Sequence, residues 1–465
     1  MSALWTSAGA AAATGGTAVG DWCTGGIAID SRAVAPGDLF VALQGPNHDA
    51  HAFVEAAMSA GAAAAMVRHG AVGGELPRLE VDDTLAGLEA LGIAGRARAR
   101  ARVAGVTGSV GKTGTKEALR HVLARQGSVF ASAASHNNHW GVPLSLARLP
   151  PATDWAVLEM GMNHAGELAV LTRQVRPQVA LVTTVAAAHL EFFGSIDAIA
   201  DAKGEIFEGL EPGGVAVLNR DDGVFERLLT KARDCGAARI LTFGLDAGAD
   251  FRLIDARLDG IGSEVEADLA GRRLSYRVGI AGRHWLCNSL AVLATVAGLG
   301  ADVTAAAESL RDLEPPAGRG ARYRVPVGEG EVTLLDESYN ANPASVRAAL
   351  DVLGRLPGRR VAVLGDMREL GAEGPGLHAG LADAVAAAGV ARLYTCGPLM
   401  ERLHASVPAV VRAAHVEDSA ALLPLVLAGL REDDVVLVKG SLGSRMGPIA
   451  EALRRGAPGG GRRAG

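Results

Sequence analysis

One short stretch, Thr107-Gly-Ser-Val-Gly-Lys-Thr113, limits what this chain can fold into more than any other feature. It follows the apolar run Val103–Val106 and precedes a segment in which Leu119, Val122 and Leu123 repeat at helical spacing. The pattern predicts a buried strand, a glycine-rich turn and a helix. In such a unit the small turn residues let backbone N–H groups approach phosphate oxygens, and the helix N-terminus adds partial positive charge.

Every residue of this turn is assigned to phosphate binding: Thr107, Gly108, Ser109, Val110, Gly111, Lys112 and Thr113. The lysine would reach the outer phosphates, and the threonine hydroxyl at the end of the turn would bind Mg²⁺. The strict motif has glycine six residues before its lysine, where this chain has Val106. The alternative is an ordinary glycine-rich turn, but the strand before it and the helix after it favour a phosphate loop.

The succession of short apolar runs and helical stretches predicts an α/β protein with three domains. We call residues 1–103 the N-terminal block, 104–313 the central block and 314–455 the C-terminal block. Prolines and glycines cluster at 314–320, which predicts a hinge between the last two blocks. The Gly/Arg-rich tail 456–465 is expected to be disordered.

Strand candidates are short β-branched runs, typical of parallel sheets that are covered on both faces. The N-terminal block has three of them: Gly26–Asp30, Leu39–Leu43 and Ala63–Val67. The central block has five: Val103–Thr107, Trp155–Glu159, Val179–Val185, Val215–Asn219 and Ile240–Phe243. Period-two alternation then predicts an antiparallel appendage over 249–278. The C-terminal block has four strand candidates: Val332–Asp336, Val361–Gly365, Arg392–Cys396 and Val435–Lys439. Their alternation with helices resembles a dinucleotide-binding fold, although the glycine-rich signature of that fold is absent from the sequence.

Composition and charge exclude several classes of protein. The net charge of −6 provides no basic surface for nucleic acid, and the basic run Arg96–Arg102 is expected to be a solvated helix face. The apolar run Leu290–Ala301 is too short to span a membrane, and the start of the chain lacks the positive residues of a signal peptide. None of the four cysteines has the spacing of a CxxC motif, which indicates structural thiols in a reducing, cytoplasmic setting. They are Cys23, Cys235, Cys287 and Cys396.

Polar side chains follow the buried strands of the central block, at the edge where parallel sheets bind ligands. Glu159 ends one strand and suits Mg²⁺, which prefers oxygen ligands; a helix cap or a surface acid is the alternative. His189 and Glu191 follow the next strand, and we favour a metal or substrate role for His189 over a structural one. Lys203 is a weaker candidate. A neutral, desolvated lysine can form a carbamate with CO₂, but on the residues alone a surface lysine is favoured.

Two further groups of polar residues stand where ligands could bind. Asn137 and Asn138 lie on a loop before a helix, where a pair of amides suits carbonyl or hydroxyl recognition, or simply a turn. The strands of the C-terminal block are followed by polar runs at 336–342, 365–371 and 439–441. We expect these runs to converge at the carboxyl edge of that sheet.

Together these motifs resemble those of the ATP-dependent Mur ligases of peptidoglycan synthesis, along nearly the whole chain. The segment Ser31–Leu43 is similar to the family's uridine-nucleotide segment, and the turn at 107–113 is similar to its phosphate loop. Gly282-Arg-His-Trp-Leu-Cys-Asn288 is similar to the segment that contacts adenine. Asn137-Asn138 resembles the motif that binds the muramoyl-peptide end, although His139-Trp140 replaces the usual Glu-Ile pair.

The resemblance implies a role for each matching residue. Those implied to bind the nucleotide-linked peptide and the amine acceptor are Ser31, Arg32, Asn137, Asn138, Asn340 and Asn342. Besides the phosphate loop, those implied to contact ATP are Asn288, Arg319 and Asp336. The implied metal ligands are Thr113, Glu159, His189 and Lys203, the last as a carbamate. The implied catalytic set is Lys112, Glu159, His189 and Lys203.

The family's fold and activity are expected to follow. The fold has a small N-terminal α/β domain for the nucleotide sugar, a central phosphate-loop ATPase domain and a Rossmann-like C-terminal domain. The run Ser338–Pro343 indicates the member that uses ATP and Mg²⁺ to add D-alanyl-D-alanine to UDP-N-acetylmuramoyl-tripeptide through an acyl phosphate. We expect a cytoplasmic monomer with no nucleic-acid partner. Two alternatives stay open: another Mur-type or folylpolyglutamate-synthase-like ligase, and an ATP-driven switch that ligates nothing.

Overall fold

Three large sheets with helices packed on their faces make up the computed structural model, which confirms the predicted α/β class. The structure describes residues 3–455 except 46–47, 134–135, 188–189 and 328–329, together with the backbone of 462 and 463. The sheets use strands from successive parts of the chain, although the first strand of the second sheet starts at Arg102, two residues before the predicted boundary. The boundaries at 103/104 and 313/314 stay predictions.

The N-terminal block contains a five-stranded sheet of order β2-β9-β8-β5-β4, parallel except for β2. The three predicted strands are present, and β2 and β9 extend the sheet at one side. The elements are β1 Trp5–Thr6, α1 Ser7–Thr14, β2 Thr17–Val19, β3 Cys23–Thr24, β4 Gly26–Ala28, β5 Asp38–Val41, β6 Gln44–Gly45, β7 His48–Asp49, α2 Val54–Ser59, β8 Ala64–Arg68, β9 Arg78–Val81 and α3 Thr84–Arg98.

The central block contains a nine-stranded sheet of order β11-β12-β10-β13-β14-β15-β16-β17-β18. The strands from β11 to β16 in this order are parallel. Strand β16 is also the first strand of an antiparallel meander with β17 and β18, which confirms the predicted appendage. The elements are β10 Arg102–Thr107, α4 Lys112–Leu123, β11 Val129–Ala131, α5 Gly141–Ala147, β12 Trp155–Glu159, α6 Glu167–Val175, β13 Val179–Val182, α7 Leu190–Phe193, α8 Ile196–Gly204, β14 Val215–Asn219, α9 Phe225–Asp234, β15 Arg239–Gly244, β16 Phe251–Leu258, β17 Ser263–Leu269, β18 Arg272–Val278, α10 His284–Leu299 and α11 Val303–Ser309.

Both faces of the central parallel strands are buried, which explains their continuous apolar runs. On β10, Ala104 and Val106 face a core shared with α4 and α10, whereas Val103 faces a second core shared with α6 and α8. Because helices cover both faces, ligands can reach this sheet at the ends of its strands. The carboxyl ends are where the phosphate loop and Glu159 stand.

The C-terminal block, together with two residues of the tail, forms a seven-stranded sheet of order β23-β22-β21-β24-β20-β19-β25. Neighbouring strands are parallel except in the two pairs that include β19. The four predicted strands are present. Strands β19 and β23 were not predicted, although β19 has the period-two alternation of a half-buried strand. The elements are β19 Ala321–Val327, β20 Gly330–Glu337, α12 Pro343–Gly354, β21 Arg359–Gly365, α13 Gly374–Ala379, α14 Ala382–Ala387, β22 Arg392–Cys396, α15 Met400–Ser406, β23 Arg412–Val416, α16 Ser419–Gly429, β24 Asp434–Lys439, α17 Gly447–Arg455 and β25 Arg462–Arg463.

Several shorter features complete the fold. The predicted hinge, 314–320, has no helix or strand. The tail 456–465 lies outside the described residues, apart from the backbone of β25, so its disorder stays a prediction. No helix in the described part of the chain is long and apolar enough to cross a membrane. Short 3₁₀ helices occupy Ser31–Ala33, Ala50–Phe53, Glu205–Gly209, Leu310–Asp312, Gly371–Glu373 and Leu442–Ser444.

The prediction that Arg96–Arg102 form a solvated helix face is wrong for Arg96 and Arg98, whose guanidinium groups contact other parts of the protein. The Arg96 side chain is buried, and its guanidinium donates to Val175 O at 2.7 Å and Arg176 O at 2.8 Å. The Arg98 guanidinium stacks 3.8 Å from the centroid of the Trp5 ring. Guanidinium groups are weakly hydrated and offer several donors, so they suit the carbonyl groups at a domain junction. Charge spacing alone does not reveal such a junction.

Candidate active site

A cavity of about 1030 Å³ lies where the carboxyl ends of the central and C-terminal strands face each other. Its walls include the phosphate loop after β10, Glu159 at the end of β12 and polar residues that follow β20, β21 and β24. Parallel α/β sheets bind ligands at this end of their strands. The two sheets therefore enclose one shared site.

The turn after β10 has the geometry of a phosphate loop. Gly111 takes a left-handed conformation, φ 86°, and α4 starts at Lys112, so the helix N-terminus points at the cavity. Lys112 Nζ donates to Gly108 O at 2.5 Å. Burial lowers the pKa of the Lys112 amine; Glu159 opposes this shift, and the positive charge of Arg319 adds to it. Arg319 belongs to the C-terminal block, so that block contributes charge to the loop.

Glu159 is hydrogen-bonded to two other predicted site residues. Its buried carboxylate accepts a hydrogen bond from Thr113 Oγ1 at 2.9 Å and another from Asn137 Nδ2 at 2.8 Å. A carboxylate and a hydroxyl at the end of a phosphate loop are hard oxygen ligands, which fit Mg²⁺. Among the described residues, no group of three or more His, Cys, Asp or Glu side chains could hold a metal.

Lys203 is buried on α8, so its interpretation as a surface lysine is wrong. Burial and the charge of Lys112 hold the pKa of its amine well below the usual range. This shift favours the neutral form of the amine. His189, the remaining predicted metal ligand, lies outside the described residues.

Asn288, predicted to contact adenine, stands beside the phosphate loop. A Cβ atom on Gly111 would lie 3.2 Å from Asn288 Oδ1, and the Asn288 side chain lines the cavity. Trp285, one turn earlier on α10, is buried, and its ring packs 3.3 Å from where a Cβ atom on Gly114 would lie. Trp285 therefore supports the start of α4.

The two predicted ATP contacts of the C-terminal block lie apart. Arg319 lines the cavity, and its guanidinium stacks 4.1 Å from the centroid of the Tyr339 ring. Asp336 lines a smaller pocket of about 450 Å³, with Gly318 and Tyr339 between the two cavities. Its buried carboxylate accepts hydrogen bonds from Ser338 N at 3.1 Å and Ser338 Oγ at 2.6 Å. In this structure Asp336 shapes its own loop.

Most of the predicted substrate residues meet at the cavity, but the uridine-segment pair does not. Asn137, Asn138, Asn340 and Asn342 all line it. Two of these amides also have local roles: Asn138 Oδ1 accepts from Gly141 N at 2.9 Å, and Asn342 caps α12 through a capping box. Ser31 and Arg32 form a 3₁₀ turn in the N-terminal block and are not among the residues lining the cavity.

Convergence of the strand-end polar groups of the C-terminal block is confirmed. Lys439 is buried and donates to Glu337 at 3.1 Å and to Asn340 O at 2.9 Å. Ser441 Oγ accepts from Arg368 N at 2.9 Å. All five residues line the cavity, so it receives charges and hydrogen-bonding groups from three strands of one sheet.

Glu89 is a cavity residue that the sequence did not reveal. It projects from α3 of the N-terminal block, where its spacing looks like that of any polar helix position. Burial raises the pKa of its carboxyl group, and His139 opposes the shift. Only the tertiary structure shows that all three blocks line the cavity.

Comparison with known proteins gives a consistent result. Residues 106–296 match the family described as the Mur ligase middle domain, and residues 322–442 match the Mur ligase glutamate ligase domain. The UDP-N-acetylmuramoyl-tripeptide–D-alanyl-D-alanine ligase of Escherichia coli (strain K12) is 37% identical over 431 residues, 92% of this chain and 93% of that protein.

Two solved structures superpose on almost the entire chain. A crystal structure of MurF from Acinetobacter baumannii superposes with a TM-score of 0.84 at 29% identity, covering 97% of this chain and 98% of that one. A MurF ligase from Thermotoga maritima, solved in complex with ADP, has a TM-score of 0.76 at 28% identity and covers 92% and 96% of the two chains.

Proposed function

The chain belongs to the Mur ligase family, and from this premise we propose that it adds D-alanyl-D-alanine to UDP-N-acetylmuramoyl-tripeptide in ATP-dependent peptidoglycan synthesis. The observation that carries the proposal is the shared cavity, in which a phosphate loop, a buried carboxylate and a buried lysine face the polar strand ends of a second sheet. The identity to a ligase of this name extends through all three blocks.

The reaction solves a leaving-group problem. A carboxylate resists attack by an amine because oxide is a poor leaving group. Transfer of the γ-phosphoryl group of ATP to the terminal carboxylate of the tripeptide forms an acyl phosphate and ADP. The amine of D-alanyl-D-alanine then adds to the carbonyl carbon, and the tetrahedral intermediate expels phosphate to leave an amide. The amine proton is released with these products.

Residues of the central block would handle the phosphates. Lys112 is positioned to leave Gly108 O and place its charge on the transferring phosphoryl group, where negative charge is shared among three oxygens. Backbone N–H groups at the start of α4 would bind the remaining phosphate oxygens. The structure of the Thermotoga relative with ADP supports nucleotide binding in this fold.

Mg²⁺ would be held by Thr113, Glu159, His189 and Lys203, the last as a carbamate. The metal would neutralise phosphate charge. Glu159 already positions Thr113 through a hydrogen bond, which supports the proposal. A free, charged Lys203 would repel a cation, whereas its neutral amine can attack CO₂, lose a proton and present two carbamate oxygens.

Substrates would approach from both sides of the cavity. Asn137 and Asn138 of the central block would bind the muramoyl-peptide end, and Asn340 and Asn342 of the C-terminal block would bind the dipeptide. Ser31 and Arg32 would bind the uridine nucleotide. Asn288, Arg319 and Asp336 would contact ATP, the last through ribose after closure at the hinge. We also propose that the protein is a monomer and that it is cytoplasmic, the location because ATP and nucleotide-sugar substrates are made inside the cell.

The decisive experiment is a coupled ADP-release assay with UDP-N-acetylmuramoyl-tripeptide and a panel of amine acceptors. ADP should form only when D-alanyl-D-alanine is added, and mass spectrometry should show the pentapeptide product. Release that ignores the dipeptide would favour an ATP-driven switch. Activity with glutamate and a folate in place of the two substrates would favour a folylpolyglutamate-synthase-like ligase.

A further inference from the structure

A threonine outside the phosphate loop contacts two of the loop's backbone carbonyl groups. Thr183 follows β13 and is buried. Its backbone N–H donates to Thr107 O at 2.9 Å. Its hydroxyl oxygen lies 2.6 Å from Val110 O and 3.2 Å from Thr107 O. A hydroxyl has one proton to donate, and the shorter distance assigns it to Val110 O.

From this contact we propose that Thr183 is a positioning residue that sets the shape of the phosphate loop. In a trans peptide, the C=O and N–H groups point in opposite directions. A hydroxyl that holds Val110 O on the sheet side therefore turns the N–H of Gly111 towards the cavity, which Gly111 lines. This is the donor that an anion at the loop requires. The inference rests on the proposed binding of ATP at this loop.

Gly108 of the phosphate loop packs directly against the Thr183 hydroxyl. It has φ 147°, and a Cβ atom there would overlap Thr183 Oγ1. The space freed by glycine at this position is filled by the threonine hydroxyl. The need for a small residue at 108 thus arises from the neighbouring strand end, in addition to any approach by phosphate.

Thr184 and Ala186, which follow Thr183, hold Ser109 of the phosphate loop through hydrogen bonds. Ser109 N donates to Thr184 O at 2.7 Å, and Ser109 Oγ donates to Ala186 O at 3.0 Å. Asn219, at the end of β14, donates to Thr184 Oγ1 at 3.0 Å. The N–H of Ser109 is therefore engaged with protein, whereas Gly111, whose N–H is turned by the Val110 contact, lines the cavity.

A matched pair of variants separates the hydroxyl from the shape of the side chain. Thr183→Val keeps the branched shape and removes the donor, whereas Thr183→Ser keeps the donor. We expect Thr183→Val to weaken ADP binding, measured by calorimetry with Mg²⁺ present, by about tenfold. Thr183→Ser should stay within about threefold of the natural chain. In the ligation assay the KM for ATP should rise for Thr183→Val while the KM for D-alanyl-D-alanine stays unchanged.

Hydrogen exchange of the backbone amides tests the conformation of the phosphate loop in the absence of any ligand. Exchange at residues 110–112 should be faster in Thr183→Val than in Thr183→Ser, with thermal midpoints recorded for both. If Thr183→Val does not fold, the smaller Thr183→Ala takes its place. Unchanged exchange and unchanged ADP affinity would overturn the positioning role. Absence of ADP binding by the natural chain would instead overturn the proposed function, and the exchange difference would still decide the role of Thr183.

Discussion

The central block meets its two neighbours through junctions of opposite construction. At the N-terminal junction, α3 packs on α5 so closely that a Cβ atom on Gly92 would lie 2.8 Å from Pro143 O and one on Gly95 would overlap Leu146 O. Buried donors of the N-terminal block reach carbonyl groups of the central block. Trp5 Nε1 donates to Ala147 O at 2.9 Å, and Arg96 donates to carbonyl groups of the central block.

The C-terminal junction surrounds a cavity. Glu191 N donates to Glu369 O at 3.4 Å, and Ala281 packs on the core of the C-terminal block. The cavity of about 1030 Å³ lies at this junction. A close-packed interface of glycines and satisfied donors resists motion, whereas two blocks linked by a loop and enclosing a cavity can open and close. We therefore expect the chemistry, and the movement that admits substrates, at the C-terminal junction.

The largest expected effect is that of Lys112→Ala at the C-terminal junction. Loss of the charge that neutralises the transferring phosphoryl group should lower the ligation rate by at least about 10³-fold in the ADP-release assay. Lys231→Ala is the matched control, since Lys231 pairs with Glu208 away from the cavity and should leave the rate unchanged. Normal product formation by Lys112→Ala would remove the phosphate loop from the mechanism.

Gly95→Val tests the N-terminal junction. Its side chain would overlap the Leu146 carbonyl group, so we expect a loss of about 3 kcal/mol in the free energy of unfolding. Denaturant melts of the natural chain and the variant measure it. Gly376→Ala, on α13 of the C-terminal block, is the control, because its added methyl group meets no atom within 4 Å. Equal stability of all three proteins would contradict close packing at α3 and α5.

Lys203→Ala tests the metal side of the cavity. The variant should lose about 10²-fold in rate, since it lacks the carbamate oxygens. Short carboxylates such as formate should restore part of the activity by replacing them. Because burial lowers the pKa of the amine and so favours the neutral form that reacts with CO₂, we expect the natural chain to carry the carbamate, which mass spectrometry under bicarbonate can detect. No rescue together with an unmodified amine would count against carbamylation.

The smallest expected effect is that of Asp336→Ala. If hinge closure brings Asp336 to the ribose, the KM for ATP should rise about fivefold, the contribution of one hydrogen bond, while kcat stays unchanged. Asp312→Ala, an exposed carboxylate paired with Arg125, is the control. An unchanged KM would limit Asp336 to its hydrogen bonds with Ser338, as in the present structure.

Local patterns predicted the elements that depend on nearby residues. The strands at 155–159 and 215–219 have the predicted bounds, and the loop at 107–113 has the predicted geometry. Strand β23 was missed because its pattern, Arg-Ala-Ala-His-Val, is weak outside its sheet. Glu89 was missed because nothing near it in sequence differs from an ordinary helix surface.

The amino-acid sequence by itself determined the class of fold, the phosphate loop and the strand ends that carry chemistry, because periodicity and turn residues act over a few positions. Only the tertiary structure decided that Lys203 is buried, that Arg96 binds carbonyl groups 79 and 80 residues away, and that Thr183 reaches Val110. Burial and long-range contacts depend on how whole elements pack, and the local pattern around each residue does not encode them.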